Sequence, residues 1–378
     1  IYLANLFLMK PYSIDHYLGK ELVLGLVDSP EALTYVGILD RFNWLTKHNS
    51  RLSIPEENDL EEGIKELEKG IKTLYKYRDS SLTDVQKVTK KIAIFDLENN
   101  LKELKEFPYL DYPLNQIGGI HLNTIEFMSD MHPVRTKSEA NDFIKRVELI
   151  RDVYEGTLKD LEKQANSGIY PPEFVYGHVI NQLNDFINYS FEEHPLYTQF
   201  MMKVKELNIT DKELDDFDKR IKKAIEESVT PGFKLLLGFM ERTKKNANKN
   251  HGIWSQPGGD DYYKLRIRTY TTTDYTPEFI HQTGLSEVER ITNRMREILT
   301  SLGYDTSKSV GQLMNELNEN PDFLYADTPD RKEIIVNDYT EMVNEAIEVM
   351  TEYFHTMPKS DVVVKAVPEY SEQTAAGG

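Results

Sequence analysis

Cysteine is absent from all 378 residues. That excludes disulfides, thiolate metal sites, iron–sulfur clusters and a cysteine nucleophile, and it leaves the redox compartment open. No apolar run approaches the roughly 18 residues that cross a bilayer as a helix, so no transmembrane segment is expected. Positive charge is also short: 45 Lys and Arg face 63 Asp and Glu, a net charge of −18. The pI is near 5.0. An acidic surface of this kind argues against nucleic acid and anionic membrane as partners, because both need basic stripes that release counterions. Among nine histidines none stands in an H-E-x-x-H pattern, so no complete catalytic zinc site is expected within the chain. A serine nucleophile elbow, a P-loop and a dinucleotide G-x-G-x-x-G are missing too.

What is present is a globular composition, 39% hydrophobic and 29% charged, long enough for two domains or one large helical one. The apolar start, Ile1 to Lys10, lacks a basic leader and a small-residue cleavage site. With Ile rather than Met first, the N-terminus reads as processed or trimmed. Apolar residues then recur at helical spacing along most of the chain. Leu60, Ile64, Leu67, Ile71 and Leu74 line one face of a helix over Asp59 to Arg78. Thr83-Asp84-Val85-Gln86 is a capping box that opens a helix running to Phe107. A Pro/Gly-rich break over 107–119 follows. Lys137 to Asn166 is a long amphipathic helix, stopped by Ser167-Gly168 and Pro171-Pro172.

Further helices are expected over Pro172–Phe191, His194–Leu207 and Lys212–Asn246, the last with Pro231 forcing either a kink or a break into two. Pro277–Leu302, capped by Thr276, then Val310–Asn318 and Asp330–Met357 complete the set. Strand signal is scarce. Tyr262 to Tyr270 alternates in a way that fits a short strand or a helix end. Asp361 to Val367 is β-branched and stopped by Pro368, which predicts an edge strand able to pair with an extended peptide. The fold class is therefore mainly α, a large multi-helix scaffold with a small β element near the C-terminus. The polar stretch Lys244 to Asp261 is the one plausible hinge. It divides an N-terminal helical domain, 1–246, from a helical half-cleft with the C-terminal edge strand, 247–378.

One segment is too unusual for generic helix or loop: Gly252-Ile253-Trp254, Pro257-Gly258-Gly259, Asp260-Asp261-Tyr262-Tyr263, then Thr271-Thr272-Thr273, Thr276-Pro277, Ile280-His281 and Gly284-Leu285. The glycines permit positive φ or close backbone approach. Tyr262 and Tyr263 suit hydrogen-bond donation to a developing oxyanion or half-buried packing. His281 suits a substrate contact or a core-edge histidine. Arg266 and Arg268 suit a carboxylate clamp or ordinary ion pairs. The Lys/Arg cluster of 242–249 reads as a solvated face.

With Gly168-Ile169-Tyr170-Pro171-Pro172, His194-Pro195-Leu196-Tyr197 and Val367-Pro368-Glu369, this segment resembles the bacterial family known as domain of unknown function 885, from about residue 30 onward. The resemblance implies a helical zincin-like fold of the neurolysin and angiotensin-converting-enzyme type with a deep cleft. Its zinc helix would lie C-terminal to the segment matching Val367 to Gly378. No zinc ligand or general base carries over to any residue here. Zinc and a peptide substrate are expected of the full-length protein, and no cofactor or catalytic residue within this chain. By the same analogy Ala375 and Ala376 lie on or beside the substrate-pairing edge strand, and Tyr262, Tyr263 and His281 line the cleft. The expected function is the scaffold portion of a peptidase-like zinc hydrolase, with a non-catalytic ligand- or peptide-binding protein as the alternative. Oligomeric state stays open, and the compartment is cytoplasmic or periplasmic.

Overall fold

Serine hydroxyls start the first two helices. Ser13 accepts from the N–H of His16 at the head of α1 (Ile14–Asp28), and Ser29 from that of Ala32 at the head of α2 (Pro30–Val36). These come from a computed structural model, which describes residues 13–39 and 43–367. A 3₁₀ segment at 43–50 leads to α3 (Asp59–Leu74) and α4 (Asp84–Glu106). The capping box of α4 is formed as expected, with Gln86 N donating to Thr83 Oγ1 and Thr83 N to Gln86 Oε1. α1, α3 and α4 share a small core of Ile14, Tyr17 and Leu74, against which Leu82 and Leu97 pack.

α5 (Ile120–Glu126) runs into a π turn at Phe127–Met131. α6 (Lys137–Asn166) is the spine: Phe143, Ile144, Val147, Ile150 and Tyr154 along it are all buried. α7 (Glu173–Asn188), α8 (Pro195–Lys205), α9 (Asp211–Ala224) and α10 (Thr230–Thr243) follow. α10 packs on both α6 and α7. There Phe233 stacks on Phe186 at 5.0 Å between ring centres and meets Tyr154 at 5.4 Å, an aromatic contact that adds to the burial itself.

Pro231 produces neither a plain kink nor a gap. The π turn Ile225–Val229 just before it lets the N–H of Thr230 reach Ile225 O, so the helical path continues past the missing donor. The segment 262–270 is helix: α11 spans Gly259–Thr271, with Asp260 and Asp261 in the first turn where negative charge suits the exposed N–H groups. Thr272 ends it at φ 53°, a left-handed conformation that strains a β-branched residue.

The chain divides into two compact units, Ile1–Asp274 and Tyr275–Gly378, so the polar stretch 244–261 lies inside the first. The second holds α12 (Pro277–Ser301), α13 (Val310–Asn318) and α14 (Arg331–Met350). Thr276 caps α12 with Pro277 at its first position, as the sequence predicts. Leu299, Val310 and Leu313 make a small core with Met295, Met314 and Leu317 around them.

The expected β element near the C-terminus is not formed. Asp361 to Val367 has no strand partner, and among the described residues the β pairing is a single bridge, Pro172 with Asn248. A β-branched run becomes a strand only where a second backbone pairs with it. Val362 and Val363 are instead exposed.

The first unit closes around a buried cation. Arg146 on α6 is 0% exposed and touches no carboxylate in its hydrogen bonds. Its Nε donates to Arg51 O at 2.7 Å. One terminal nitrogen donates to Pro30 O at 3.2 Å, Thr34 Oγ1 at 2.8 Å and His48 O at 2.9 Å. The other meets His132 Nδ1 at 2.9 Å. A guanidinium only donates, so His132 accepts at Nδ1 and carries its proton on Nε2, which points at Glu139 O 3.3 Å away. The cation also lies 5.0 Å from the centre of the Phe127 ring. Burial lowers the pKa of Arg146 to about 10, so it stays charged. Replacing Arg146 with Ala strands those acceptors; a loss of about 3 kcal/mol or more is expected, read as a lower urea midpoint. Arg146→Lys, which lacks the planar fork, should recover only part of it.

Burial also holds three histidines neutral. It pulls His132 down to about 3, aided by the Arg146 charge, and His121 and His194 to about 4. The unfolded chain takes up these protons near the ordinary 6.5 and the native state does not. Stability is therefore full above that value and falls as the pH drops toward 4. Each histidine is expected to cost roughly 2 kcal/mol at pH 5 relative to neutrality. Denaturation midpoints measured across that range check it.

Candidate functional site

Three segments far apart in sequence form one seat in the first unit. Phe107 and Leu110 come from the break after α4, Ile169 from the turn after α6, and Leu265 from α11. Together they form a buried apolar cluster, with Tyr109, Tyr112, Ile253 and Tyr262 packed around it. The loop 252–258 is pinned by backbone bonds on both sides. Gln256, 6% exposed, donates from Nε2 to Tyr170 O at 2.6 Å and accepts from Tyr170 N at 3.4 Å. Upstream, Glu173 N donates to Asn248 O at 2.9 Å and Asn248 N to Pro171 O at 3.2 Å. The Gly168–Pro172 and Gly252–Tyr263 motifs are thus neighbours in space.

The glycines of the loop answer to geometry. Gly258 sits at φ 73° at the head of α11. A Cβ on Gly259 would stand 1.8 Å from Ile253 O, so only a residue without a side chain lets the helix start against the loop. Trp254 at the loop's tip remains 61% exposed.

α11 carries the charged side of the seat. Arg266 Nη1 pairs with Glu103 Oε2 on α4 at 3.0 Å, both half-buried. Its guanidinium lies 4.8 Å from the Tyr270 ring centre and 5.9 Å from that of Tyr262. Arg268 bonds Asn99 Oδ1 at 3.2 Å, pairs with Asp274, and lies 4.8 Å from the Phe95 ring centre. Both arginines are committed within the unit. Neither is set as a carboxylate clamp in this arrangement.

The two tyrosines diverge. Tyr262 turns inward against Phe107 at 5.6 Å between ring centres, and its hydroxyl donates to Glu103 Oε1 at 3.3 Å. Burial, then the Glu103 charge, pushes its pKa up to about 12. It stays protonated at neutral pH, and its proton is directed at Glu103. Tyr263 turns outward and is 47% exposed. His281 lies on the exposed surface of α12 in the second unit. Ala375 and Ala376 fall outside the described residues.

Beside the seat lies a cavity of about 210 Å³ between the start of α3, the 108–113 loop and the end of α6. Glu56, Glu57, Asp59, Asp111 and Asp160 line it with Lys163. Its field favours a cation over an anion. Gln164 on its wall is spent on structure, donating to Tyr109 O at 2.7 Å and Asp111 O at 2.6 Å. Among the described residues no group of three or more His, Asp or Glu side chains is placed to hold a metal ion. No helix among them is long and apolar enough to cross a membrane.

The family model described as bacterial protein of unknown function (DUF885) matches residues 30–378. The chain belongs to that family. Its matched span includes every segment of the seat. No protein of curated function matches. A crystal structure of a putative lipoprotein from Colwellia psychrerythraea is similar at a TM-score of 0.83 and 25% identity, over 92% of this chain and 61% of that one. A putative lipoprotein of unknown function from Shewanella oneidensis shares the fold at a TM-score of 0.53 and 15% identity, over 90% of this chain and 60% of its own. This chain therefore spans less than two thirds of the length of either.

Sequence reasoning found the glycines, Tyr262 and the arginines, and missed Gln256, Glu103 and Asn99. A polar residue that will be buried by a segment some 86 positions away leaves no local mark. Gly259→Ala is expected to spring the loop from α11. The exposed Trp254 should report it as a changed emission spectrum, with a destabilisation of about 2 kcal/mol or more.

Proposed function

We propose that this chain is the helical scaffold portion of a zinc-dependent, peptidase-like hydrolase of short peptides, without hydrolase activity as the chain given. The observation supporting this reading is the seat itself. Two of the segments that carry the family resemblance, Gly168–Pro172 and Gly252–Tyr263, pack into one built structure in the first unit. The described residues hold no group placed for zinc, so no step is derived through it; on this reading its ligands lie elsewhere in the protein. On this reading the chain's own part is positioning: the Arg266–Glu103 pair holds α11 against α4, which sets where Tyr263 and Trp254 face solvent. Tyr263 in the first unit, His281 separately in the second, and Ala375 and Ala376 near the C-terminus are proposed as peptide contacts, while Tyr262, turned inward on Phe107 and Glu103, supports Tyr263 from behind. The lipoprotein description of the Colwellia relative supports the periplasmic of the two compartments.

The non-catalytic binding reading has its own support in a second cavity, about 300 Å³, lined by Leu52, Ile120, Phe127 and Val153 together with the polar Glu31, Ser53, Asn123 and Thr124. Apolar walls with a few polar groups among them are the usual form of a small-ligand pocket. One experiment separates the two. Metal content and cleavage of a broad peptide library are measured for residues 1–378 and for the full product of the gene. The scaffold reading expects zinc and turnover in the gene product only. Absence of both from the gene product would sink it, and saturable peptide binding without turnover would establish the alternative.

A further inference from the structure

The second unit carries far more apolar surface than it buries. Three of its side chains, Leu299, Val310 and Leu313, are buried among the described residues. α12 presents Leu285, Val288, Ile291, Met295 and Ile298 at spacings of three and four, which places them on one side of the helix. Of these, Val288 is 63% exposed and Leu285 52%. α14 is 20 residues long and buries none of them. Its Met342 and Val349 are 56% and 58% exposed. At its start Arg331 pairs with Asp327 of the preceding loop at 3.1 Å.

Two amphipathic helices with bare apolar faces are not a finished surface. Contiguous exposed apolar area marks an interface, and a helix of this length is marginal in water without a packed face. The extent of the match to the similar Colwellia protein bears on what could cover it. That structure matches 92% of this chain, too much to leave the second unit out, yet more than a third of its own length remains unmatched.

We propose that the apolar faces of α12 and α14 seat further polypeptide of the same protein, the counterpart of the unmatched part of the Colwellia relative. The complementary chemistry is an amphipathic helical segment with Leu-, Ile- or Met-rich faces, packing ridges into grooves. This rests on the scaffold reading only in requiring polypeptide beyond these residues. It makes no use of zinc or catalysis.

The test is hydrogen exchange with sedimentation, run on residues 1–378 and on the full product of the gene. Amides of α12 and α14 are expected to exchange at least ten-fold more slowly in the gene product, with both species monomeric at the dilution used. Val288→Asp and Met342→Asp should remove that protection in the gene product while leaving α6 and α10 exchange unchanged. In residues 1–378 the same variants should change nothing. Equal exchange in the two species overturns the proposal, as does a gene product no longer than these residues. Protection that appears only as concentration rises overturns it in favour of a second copy of the chain. A metal-free, inactive gene product that still protects both helices would sink the hydrolase reading and leave this one standing.

Discussion

The first unit depends on a positive charge whose only hydrogen-bond partners among the described residues are backbone carbonyls, one hydroxyl and a neutral imidazole. Arg146 is buried without a hydrogen-bonded carboxylate, a situation that a folded chain tolerates only if the donors are all met. Meeting them draws in Pro30 and Thr34 from α2, His48 from the 3₁₀ segment with Arg51 just after it, and His132 from the end of the π turn. The π turn at 127–131 serves the same need. It sets His132 at the end of the helical path with Nδ1 toward the guanidinium and the Phe127 ring 5.0 Å from the cation. One side chain thereby fixes the tautomer of a histidine and the course of two loops.

None of that is visible in sequence. Arg146 and its carbonyl partners are 95 to 116 positions apart, and a single Arg inside an amphipathic helix reads as a solvated one. What was legible was local. Periodicity located every α-helix from α3 to α14 except α5 and α11, and caps such as Thr83/Gln86 and Thr276 marked starts because a first-turn N–H needs its acceptor nearby. The failures have local causes too. Val362 to Val367 carries strand propensity, but propensity measures fit to a sheet and no sheet is present among the described residues. The alternation at 262–270 comes from a helix with Leu265 and Ile267 inward and Lys264 outward.

The motif was legible as a motif and opaque as a structure. Its glycines announce close approach, yet what they approach is set by Ile253 O and Phe107. Its arginines suggest a substrate clamp, and the fold instead spends them on Glu103, Asn99 and Asp274. Tyr262 shows the difference most plainly. In isolation a tyrosine beside a Gly-rich turn is a candidate oxyanion donor. With Glu103 3.3 Å away its hydroxyl is the donor that helps hold a helix in place. A distinctive sequence at this site therefore builds the seat first, and the surface left over for chemistry is the outward side carrying Trp254 and Tyr263.

The two units also differ in how they are held. The first is tied by a buried cation, a stacked aromatic core along α6 and α10, and backbone pairing at Pro172 and Asn248. The second has helices of 25, 9 and 20 residues around three buried side chains, which do not offset the ordering of so much chain. Its helices are amphipathic on a scale that this core does not use. α12 spends Leu299 on α13 and leaves Leu285, Val288 and Ile291 to water. Sequence pattern thus encodes more interface than the described residues contain, and the surplus is concentrated on one side of α12 and along α14.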